Sequence, residues 1–285
     1  MERTWQTSRR RIAFSGKALI MAILNITPDS FSDGGEFLSP TAALKQAEIF
    51  KDEGADIIDI GGESTRPNST QVSVAEEINR TAPVIEAITK RFDIPISIDT
   101  TKSAVAEAAI NAGAEIINDI SGLRFDERIA EISAKHNTGL VLMHSRGTFE
   151  TMHKQEPVED ILSEVAQVFH SSIEKAKGFG VNPQNIALDI GVGFSKTFDQ
   201  NLELLAKLDK LVAEFPEYPI LVGTSRKSFI GKILGGVPTG RRLNGSLASI
   251  SIAVFNGAKI IRVHDIKQTI ETIKIVRAIK SAANT

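Results

Sequence analysis

The sequence predicts a parallel α/β fold that closes into a single (β/α)8 TIM barrel, and three observations support this prediction. Eight short apolar runs recur along the 285 residues, and amphipathic helical patterns separate them. The motif Gly-Ala-x-Ile-Ile occurs three times, beginning at Gly54, Gly113 and Gly257. Eight strand–helix repeats equal the number that closes a barrel, so we expect a barrel rather than an open sheet. The predicted strands are Ala18–Ile26, Ala55–Gly61, Ile94–Asp99, Glu115–Ile120, Gly139–His144, Ile186–Ile190, Pro219–Thr224 and Lys259–His264.

The repeated motif marks the junction between a helix and the strand that follows it. Its glycine is expected just past the helix end, where a left-handed backbone conformation costs glycine nothing. The apolar run after it is typical of a parallel strand that is buried on both faces. Helix starts are indicated by Ser39 before Pro40, and by Ser73 with Glu76 three residues later.

Composition and charge exclude several classes of protein. Apolar residues make up 42% and charged residues 24%, as in globular proteins, and there is no cysteine. Disulfide scaffolds, thiolate metal sites and cysteine nucleophiles are therefore excluded. The formal net charge is −2 without a long basic run, which argues against a nucleic-acid partner or a membrane surface. No apolar run reaches the roughly 20 residues of a membrane span, so we expect a cytoplasmic protein.

We interpret residues 1–17 as a short N-terminal extension that caps the barrel floor, and residues 18–285 as the barrel.

Polar side chains follow the apolar runs. Catalytic groups of such barrels sit at the carboxyl ends of the strands, which all meet at one rim. The ionisable and amide residues at the predicted strand ends are Asn25, Asp59, Asp99, Asn118, His144, Asp189, Lys227, Arg262 and His264.

Several of these residues have structural alternatives. Asp99 could begin the next helix as an N-cap, and Asn118 with Asp119 could form a turn. A hydrogen-bonded structural role suits His144, which has no second histidine at metal-binding spacing. Capping suits Asp189 less well, because the glycine-rich segment after it is too flexible for an immediate helix start.

The chain becomes basic after the seventh and eighth strands. Arg226 and Lys227 follow the seventh strand, and Arg262 and His264 lie at the end of the eighth. Barrel phosphate sites commonly use these two loops, and arginine offers a fork of donors to phosphate oxygens. We therefore expect an anionic substrate group there. The alternative is a salt bridge to Asp265, which would account for only one of the cations.

Two long segments, residues 27–35 and 62–70, follow the first and second strands and are rich in turn formers and hydroxyl groups. A substrate-covering role and an ordinary mobile connection are both compatible with this composition. An aromatic residue in such a loop, Phe31, favours contact with a ligand.

These segments closely resemble the dihydropteroate synthase family of the folate pathway. Two long motifs carry the resemblance, ILNITPDSFSDGG at residues 23–35 and GADIIDIGGESTRP at residues 54–67. Five shorter motifs follow in the family's order and spacing: SIDT, INDI, MH, GTSRKS and IRVHD. One segment departs from the family pattern. In LDIGVGFSK, Ile190, Val192 and Ser195 stand where the family usually has proline, phenylalanine and glycine.

The resemblance implies that the chain condenses 6-hydroxymethyl-7,8-dihydropterin diphosphate with 4-aminobenzoate, by loss of diphosphate and then attack of the arylamine. A carboxylate suits a pterin, because it can accept hydrogen bonds from the adjacent amino and ring N–H groups. By resemblance, the catalytic residues are Asp99, Asp189, Lys227, Arg262 and His264. Pterin binding is expected to involve Asp99, Asn118, Ile120, Met143, Asp189, Gly223, Lys227 and Arg262.

The resemblance also implies the rest of the site. The diphosphate is expected to bind Asn25, Thr65, Arg262 and His264, with Mg²⁺ held near Asn25. 4-Aminobenzoate is expected to bind Phe31, Thr65, Arg66, Pro67, Phe194, Lys227 and Ser228. A homodimer is expected from the family, and so is inhibition by sulfonamides, which mimic aminobenzoate.

Two other hypotheses stay open. One is a pterin-binding methyl-transfer module, which shares the barrel and the pterin carboxylates but needs neither the Arg262–His264 pair nor a metal loop at Asn25. The other is a noncatalytic pterin binder, against which the complete set of expected site residues argues.

Overall fold

A computed structural model describes residues 3–14, 17–27, 40–66 and 69–282 of the chain. Eight parallel strands form a closed barrel in the order β10-β3-β4-β5-β6-β7-β8-β9, which confirms the predicted fold. A separate antiparallel hairpin pairs β1 (Thr4–Gln6) with β2 (Arg11–Ala13). The barrel strands are β3 Leu19–Asn25, β4 Ile57–Gly61, β5 Ile96–Asp99, β6 Ile116–Asp119, β7 Gly139–Met143, β8 Ile186–Asp189, β9 Ile220–Val222 and β10 Ile260–Val263.

Helices surround the barrel and follow each of its strands. They are α1 Pro40–Glu53, α2 Val74–Arg91, α3 Ser103–Asn111, α4 Arg128–His136, α5 Ile161–Gly178, α6 Phe198–Ala206, α7 Leu208–Glu214, α8 Ser228–Ile233, α9 Leu243–Phe255 and α10 Ile266–Ala282. Two short 3-10 helices, Pro183–Asn185 and Thr239–Arg241, precede β8 and α9. Within the described ranges, no helix combines the length and the apolar character that crossing a membrane requires.

The junctions follow the local sequence signals. Gly54, Gly113 and Gly257 have φ angles of 98°, 113° and 109°, which confirms the left-handed conformation predicted after the helix ends. The Ser73 hydroxyl caps α2 by accepting a 3.2 Å hydrogen bond from the Glu76 backbone N–H. The repeated motif therefore ends one helix and starts the next strand at the same point of three repeats.

The register of the strands brings the polar strand ends to one rim. Asn25 is paired with Gly61, Gly61 with Asp99, and Asp99 with Asn118 across four neighbouring strands. On the far side of the barrel, Asp189 lies at the end of β8. Because all eight strands are parallel, these side chains face a common opening.

The N-terminal hairpin lies at the opposite end of the barrel. Trp5 is fully buried, and its Nε1–H donates to the backbone oxygen of Asn185 over 2.7 Å. The indole packs with Phe14, Leu19 and Met21 in an apolar cluster whose strand residues are the first, second or third of their strands. The hairpin therefore fills the amino-terminal end of the barrel and leaves the other end for a site.

Candidate active site

A half-buried guanidinium between two carboxylates forms the centre of the rim. Arg262, on β10, donates from Nε to Asp59 Oδ2 over 2.6 Å and from Nη2 to Asp99 Oδ2 over 2.7 Å. Burial opposes the charged form of Arg262, but Asp59 and Asp99 together raise its pKa above the ordinary value. The three side chains come from three different strands, so the closed barrel is what brings them together.

Asn118 extends this centre along the rim. Its Nδ2 donates to Asp59 Oδ2 over 3.1 Å. Asn118 Oδ1 and Asp59 Oδ1 are both buried, and neither has a hydrogen-bond partner in the described part of the chain. Buried acceptors without partners are uncommon, because each costs about 1–3 kcal/mol. Their position at the rim fits a ligand that brings N–H donors.

Asp189 and Lys227 complete the charged wall. Asp189 Oδ1 accepts a 2.8 Å hydrogen bond from the Gly191 N–H, and burial raises its pKa. Burial and the nearby charge of Arg262 together lower the pKa of Lys227 to about 8, although Asp189 and Asp99 oppose this shift. Lys227 Nζ lies 4.4 Å from the centre of the Phe194 ring, a cation–π distance.

Asp99 lies beside Arg262 at the rim and does not cap a helix. Burial raises its pKa to about 7, Arg262 opposes this rise and Asp59 adds to it. The alternative role as an N-cap of α3 is wrong, because the Ser103 N–H donates to Asp126 Oδ2 over 3.0 Å instead. The turn expected at residues 118–119 is formed by Asp119, whose carboxylate accepts from two backbone N–H groups.

The basic residues after β9 and at the end of β10 form two separate groups of contacts. Arg226 is held in an ion pair with Asp265, with Nε–Oδ2 and Nη2–Oδ1 distances of 3.1 and 2.6 Å. The salt-bridge alternative thus holds for Arg226, whose paired side chain locks the β9 and β10 loops together. His264 Nδ1 lies 3.0 Å from the Ser225 hydroxyl, and burial lowers the pKa of His264 to about 3. His264 is therefore neutral near pH 7.

Asn25 lies at a position from which its side-chain oxygen, Oδ1, can face the opening of the barrel. A Cβ atom placed on Gly61 would lie 3.6 Å from Asn25 Oδ1 and 3.6 Å from Asp99 Cβ, so the glycine keeps this corner open. Oxygen atoms of this kind are the ligands that Mg²⁺ prefers. Among the described residues, no three His, Asp or Glu side chains converge as a metal-binding group.

The remaining predicted residues lie around the opening or outside the described part of the chain. Ile120 and Met143 are buried and pack with Phe194 in one apolar cluster. Gly223 lies beside Arg262, since a Cβ on this glycine would be 3.7 Å from Arg262 Cβ. Thr65 is half-buried, Arg66 is exposed and Ser228 is exposed at the start of α8. Phe31 and Pro67 fall outside the described residues.

The loop between β8 and α6, residues 190–197, is held by a half-buried lysine. Lys196 Nζ donates to the backbone oxygens of Gly191 and Phe194 over 2.8 and 3.0 Å, and lies 2.8 Å from His144 Nδ1. Burial lowers the pKa of Lys196 well below its usual range. His144 is fully buried, as a structural histidine would be, and burial lowers its pKa to about 2.

Asp59 is the principal residue of the site that the sequence left without a role. Its carboxylate is completely buried and holds both Arg262 and Asn118 in place. Its position at a strand end was the available signal. The missing information was that its partners lie 203 and 59 residues away in the chain.

Comparison with known proteins places this chain in a family. The model of the family described as "Pterin binding enzyme" matches residues 21–264. Dihydropteroate synthase from Synechocystis sp. is 46% identical over 263 residues, covering 92% of this chain and 90% of that protein.

Solved structures agree with this assignment. Dihydropteroate synthase from Clostridium difficile, in the presence of pteroic acid, has a TM-score of 0.87 at 42% identity, covering 93% of this chain and 98% of that one. The enzyme from Xanthomonas albilineans with 4-aminobenzoic acid has a TM-score of 0.91 at 36% identity, covering 98% and 99% of the two chains. The chain therefore belongs to the pterin-binding enzymes and, within them, to the dihydropteroate synthase family.

Proposed function

We propose that the chain condenses 6-hydroxymethyl-7,8-dihydropterin diphosphate with 4-aminobenzoate to give 7,8-dihydropteroate and diphosphate. The observation that carries this proposal is the Asp59–Arg262–Asp99 centre, with its unpaired buried acceptors at the mouth of the barrel. A pterin has adjacent amino and ring N–H donors that match such acceptors. Family membership supports the same substrates.

Pterin recognition is assigned to the buried wall of the rim. Asp189 and Asn118 accept from the pterin N–H groups, and Asp99 accepts from the ring on the other side. Lys227 donates to the ring carbonyl, while Ile120 and Met143 provide apolar contact. Arg262, already aligned by Asp59 and Asp99, lies along the pterin and reaches towards the diphosphate.

Arg262 and His264 are assigned to the leaving diphosphate. The His264 backbone N–H donates to Ser225 Oγ, which frees the serine hydrogen to point at His264 Nδ1. His264 is then left with an Nε2–H donor for a diphosphate oxygen, without carrying a charge. Asn25 Oδ1 would hold Mg²⁺ together with water and diphosphate oxygens, and the ion would supply further positive charge there. Thr65 contributes a hydroxyl on the opposite side.

The reaction follows from where these charges lie. The bond between the pterin methylene carbon and the diphosphate oxygen breaks, and its electron pair leaves with the diphosphate. The carboxylates of Asp99 and Asp189 stabilise the cationic methylene group that remains. The nitrogen lone pair of 4-aminobenzoate then forms the C–N bond, and the proton it loses passes to solvent or diphosphate. A neutral arylamine is a sufficient nucleophile, so we assign no general base.

The aminobenzoate site is proposed beside Phe194. Its ring, with the Lys227 ammonium group above it, offers an aromatic wall, and Ser228 and Arg66 offer donors to the substrate carboxylate. Thr65 lines the same side. Phe31 and Pro67 remain predicted contacts of this pocket. Sulfonamides are expected to compete with 4-aminobenzoate at this site.

A paired product assay tests the proposal. Purified protein is given both substrates and Mg²⁺, and diphosphate and dihydropteroate are measured together. We expect equal amounts of both products, and loss of turnover when EDTA removes the metal. Protein that binds the pterin but forms no dihydropteroate would contradict the proposal. Tight binding of methyltetrahydrofolate without binding of diphosphate would favour a methyl-transfer module instead.

We propose a homodimer as the assembly state. Ile252 and Phe255 on α9 are exposed, as are Ile275 and Ile279 on α10. Lys280 Nζ donates to the Phe255 backbone oxygen, so the ends of the two helices lie side by side. We infer that the four exposed side chains form one apolar face. A second copy would cover this face. Sedimentation should give twice the mass of the chain, and Ile275→Glu should shift the protein towards monomer.

The cytoplasmic location stays a prediction.

A further inference from the structure

The loop between β7 and α5, residues 144–160, lies against the proposed site but has no role in the reaction described above. Phe149 and Met152 are buried and pack with Ile120, Met143 and Phe194. Two of these partners belong to the proposed pterin site, and the third lines the proposed aminobenzoate site. The loop therefore touches both halves of the substrate pocket from outside.

The loop is fixed in this position by Ser195, a residue that departs from the family pattern. The Ser195 hydroxyl accepts from the Arg146 N–H over 2.7 Å, and its hydrogen can reach the Met152 oxygen at 2.9 Å. The Ser195 N–H donates to the same Met152 oxygen over 2.7 Å, and Arg146 Nη2 donates to the Ser195 oxygen over 2.6 Å. Four short contacts thus join the β7–α5 loop to the segment that carries Phe194.

His153, directly after Met152, connects this assembly to the β4–α2 loop. His153 Nε2 lies 2.8 Å from the Thr65 backbone oxygen. A carbonyl oxygen only accepts, so Nε2 carries the hydrogen and donates it. The imidazole centre is 5.4 Å from the centre of the Phe194 ring, with 31° between the ring planes. One side chain therefore contacts two proposed aminobenzoate-site residues that lie 129 positions apart in the sequence (194 − 65).

We propose that His153 is a positioning residue that sets the affinity for 4-aminobenzoate. Its hydrogen bond fixes the Thr65 backbone, its ring fixes Phe194, and the distance between these two walls sets the width of the slot. The Asp59–Arg262–Asp99 centre of the proposed pterin site is held by hydrogen bonds between barrel strands and not by His153. The inference rests on the proposed function, because it concerns the second substrate of that reaction.

Three variants separate the two contacts. His153→Ala removes both, His153→Phe keeps only a ring against Phe194, and His153→Gln keeps an amide donor that can reach the Thr65 oxygen. In His153→Ala we expect the KM for 4-aminobenzoate to rise about tenfold, the effect of losing one hydrogen bond and one ring contact. The KM for the pterin diphosphate should stay within about twofold, because its contacts are unchanged. His153→Phe and His153→Gln should each restore part of the affinity.

A product ratio gives a second readout. A loosened aminobenzoate slot lets water compete for the pterin cation, so His153→Ala should release more diphosphate than it forms dihydropteroate. Lys154→Ala is the matched control, since Lys154 is the exposed neighbour in the same loop. It should behave as the wild type. Thermal melting of every variant reports whether the loop change has altered folding.

Two results would overturn the inference. The first is an active wild type with an unchanged aminobenzoate KM in His153→Ala. The second is an equal loss of activity in all three variants that follows their melting temperatures, which would indicate a role in folding only. A wild type that forms no dihydropteroate would instead contradict the proposed function, and the inference would fail with it.

Discussion

Both ends of the barrel contain a buried carboxylate, but the two carboxylates differ in how many of their oxygens are hydrogen-bonded. At the floor, Glu115 is 2% exposed and both of its oxygens are paired: Arg10 donates to each of them, over 2.7 and 3.0 Å, and Thr7 donates to Oε2 over 2.7 Å. At the rim, Asp59 is fully buried and one of its oxygens has no partner among the described residues. The carboxylates at both ends are therefore buried. They differ only in their hydrogen bonds, because both oxygens of Glu115 have partners and one oxygen of Asp59 has none in the described part of the chain.

This difference separates a structural charge from a functional one. A fully paired buried charge contributes to holding elements together, and breaking it leaves an uncompensated ion. An unpaired acceptor costs stability in the unliganded protein and regains a partner when a ligand supplies a donor. Changes at the floor should therefore alter stability, and changes at the rim should alter activity.

The largest effect is expected from Asp99→Asn at the rim. The amide keeps the shape but presents a donor to the pterin and removes the charge that stabilises the cationic methylene group. We expect kcat/KM for the pterin diphosphate to fall about 10²- to 10³-fold. Steady-state kinetics with both substrates measure this change.

Asp93→Asn is the matched control for that variant. Asp93 pairs with Arg10 at the floor, and its side chain is 92% exposed. It should leave both kcat/KM and the free energy of unfolding close to the wild-type values, because exposed ion pairs contribute little. Wild-type kinetics in Asp99→Asn, or an equal loss in Asp93→Asn, would remove the distinction between the two ends.

The next effect is on stability, from Glu115→Ala at the floor. The variant leaves the Arg10 guanidinium and the Thr7 hydroxyl without their buried acceptor. We expect the free energy of unfolding to fall by about 3 kcal/mol, with kcat unchanged per folded molecule. Urea unfolding followed by circular dichroism measures the first quantity. A loss of kcat without loss of stability would show that the floor communicates with the site.

Much of the fold could be predicted because parallel strands buried on both faces leave a plain sequence signal. All eight predicted strands are present, and each barrel strand lies inside its predicted range, whereas the hairpin strands β1 and β2 were not predicted. The polar residues that interrupt the apolar runs also mark the rim, since side chains at strand ends have to face the opening.

Contacts between distant loops were not predictable in the same way. A salt bridge from one basic residue to Asp265 was an open alternative, but the sequence does not indicate which residue forms it. Arg226 adopts a φ of 60°, and its side chain pairs with Asp265. The contact of His153 with the Thr65 oxygen spans 88 residues and has no periodic pattern. Strands repeat, so their pattern is visible in one sequence, whereas a single side chain that joins two loops appears only when the backbone of both is in place.

The pH dependence of the activity sharpens the contrast between rim and floor, because two rim groups have pKa values displaced towards neutrality. Burial raises the pKa of Asp99 to about 7 and lowers that of Lys227 to about 8. Below pH 7 Asp99 gains a proton and loses an acceptor, and above pH 8 Lys227 loses its charge. We expect kcat/KM for the pterin diphosphate to fall on both sides, by about tenfold per pH unit.

Lys227→Arg tests the alkaline side of this profile. A guanidinium stays charged throughout the range, so the decline above pH 8 should disappear while the decline below pH 7 remains. His264, with its pKa lowered to about 3, should contribute to neither side. A variant that keeps the alkaline decline would assign it to another group, such as the substrate.

The smallest effect is expected where a rim residue is fully paired, as the floor residues are. Ser195 has a φ of 55°, a conformation that costs a residue with a side chain, and its hydroxyl hydrogen-bonds to the β7–α5 loop. Ser195→Gly removes the strain and the hydroxyl's hydrogen bonds together, so the free energy of unfolding should change by less than about 1 kcal/mol. Ser195→Ala removes only the hydrogen bonds and should cost about 2 kcal/mol. Urea unfolding gives the free energy of unfolding of both variants, and the difference between the two values measures the strain. A Gly variant less stable than the Ala variant would show that the left-handed backbone is not strained.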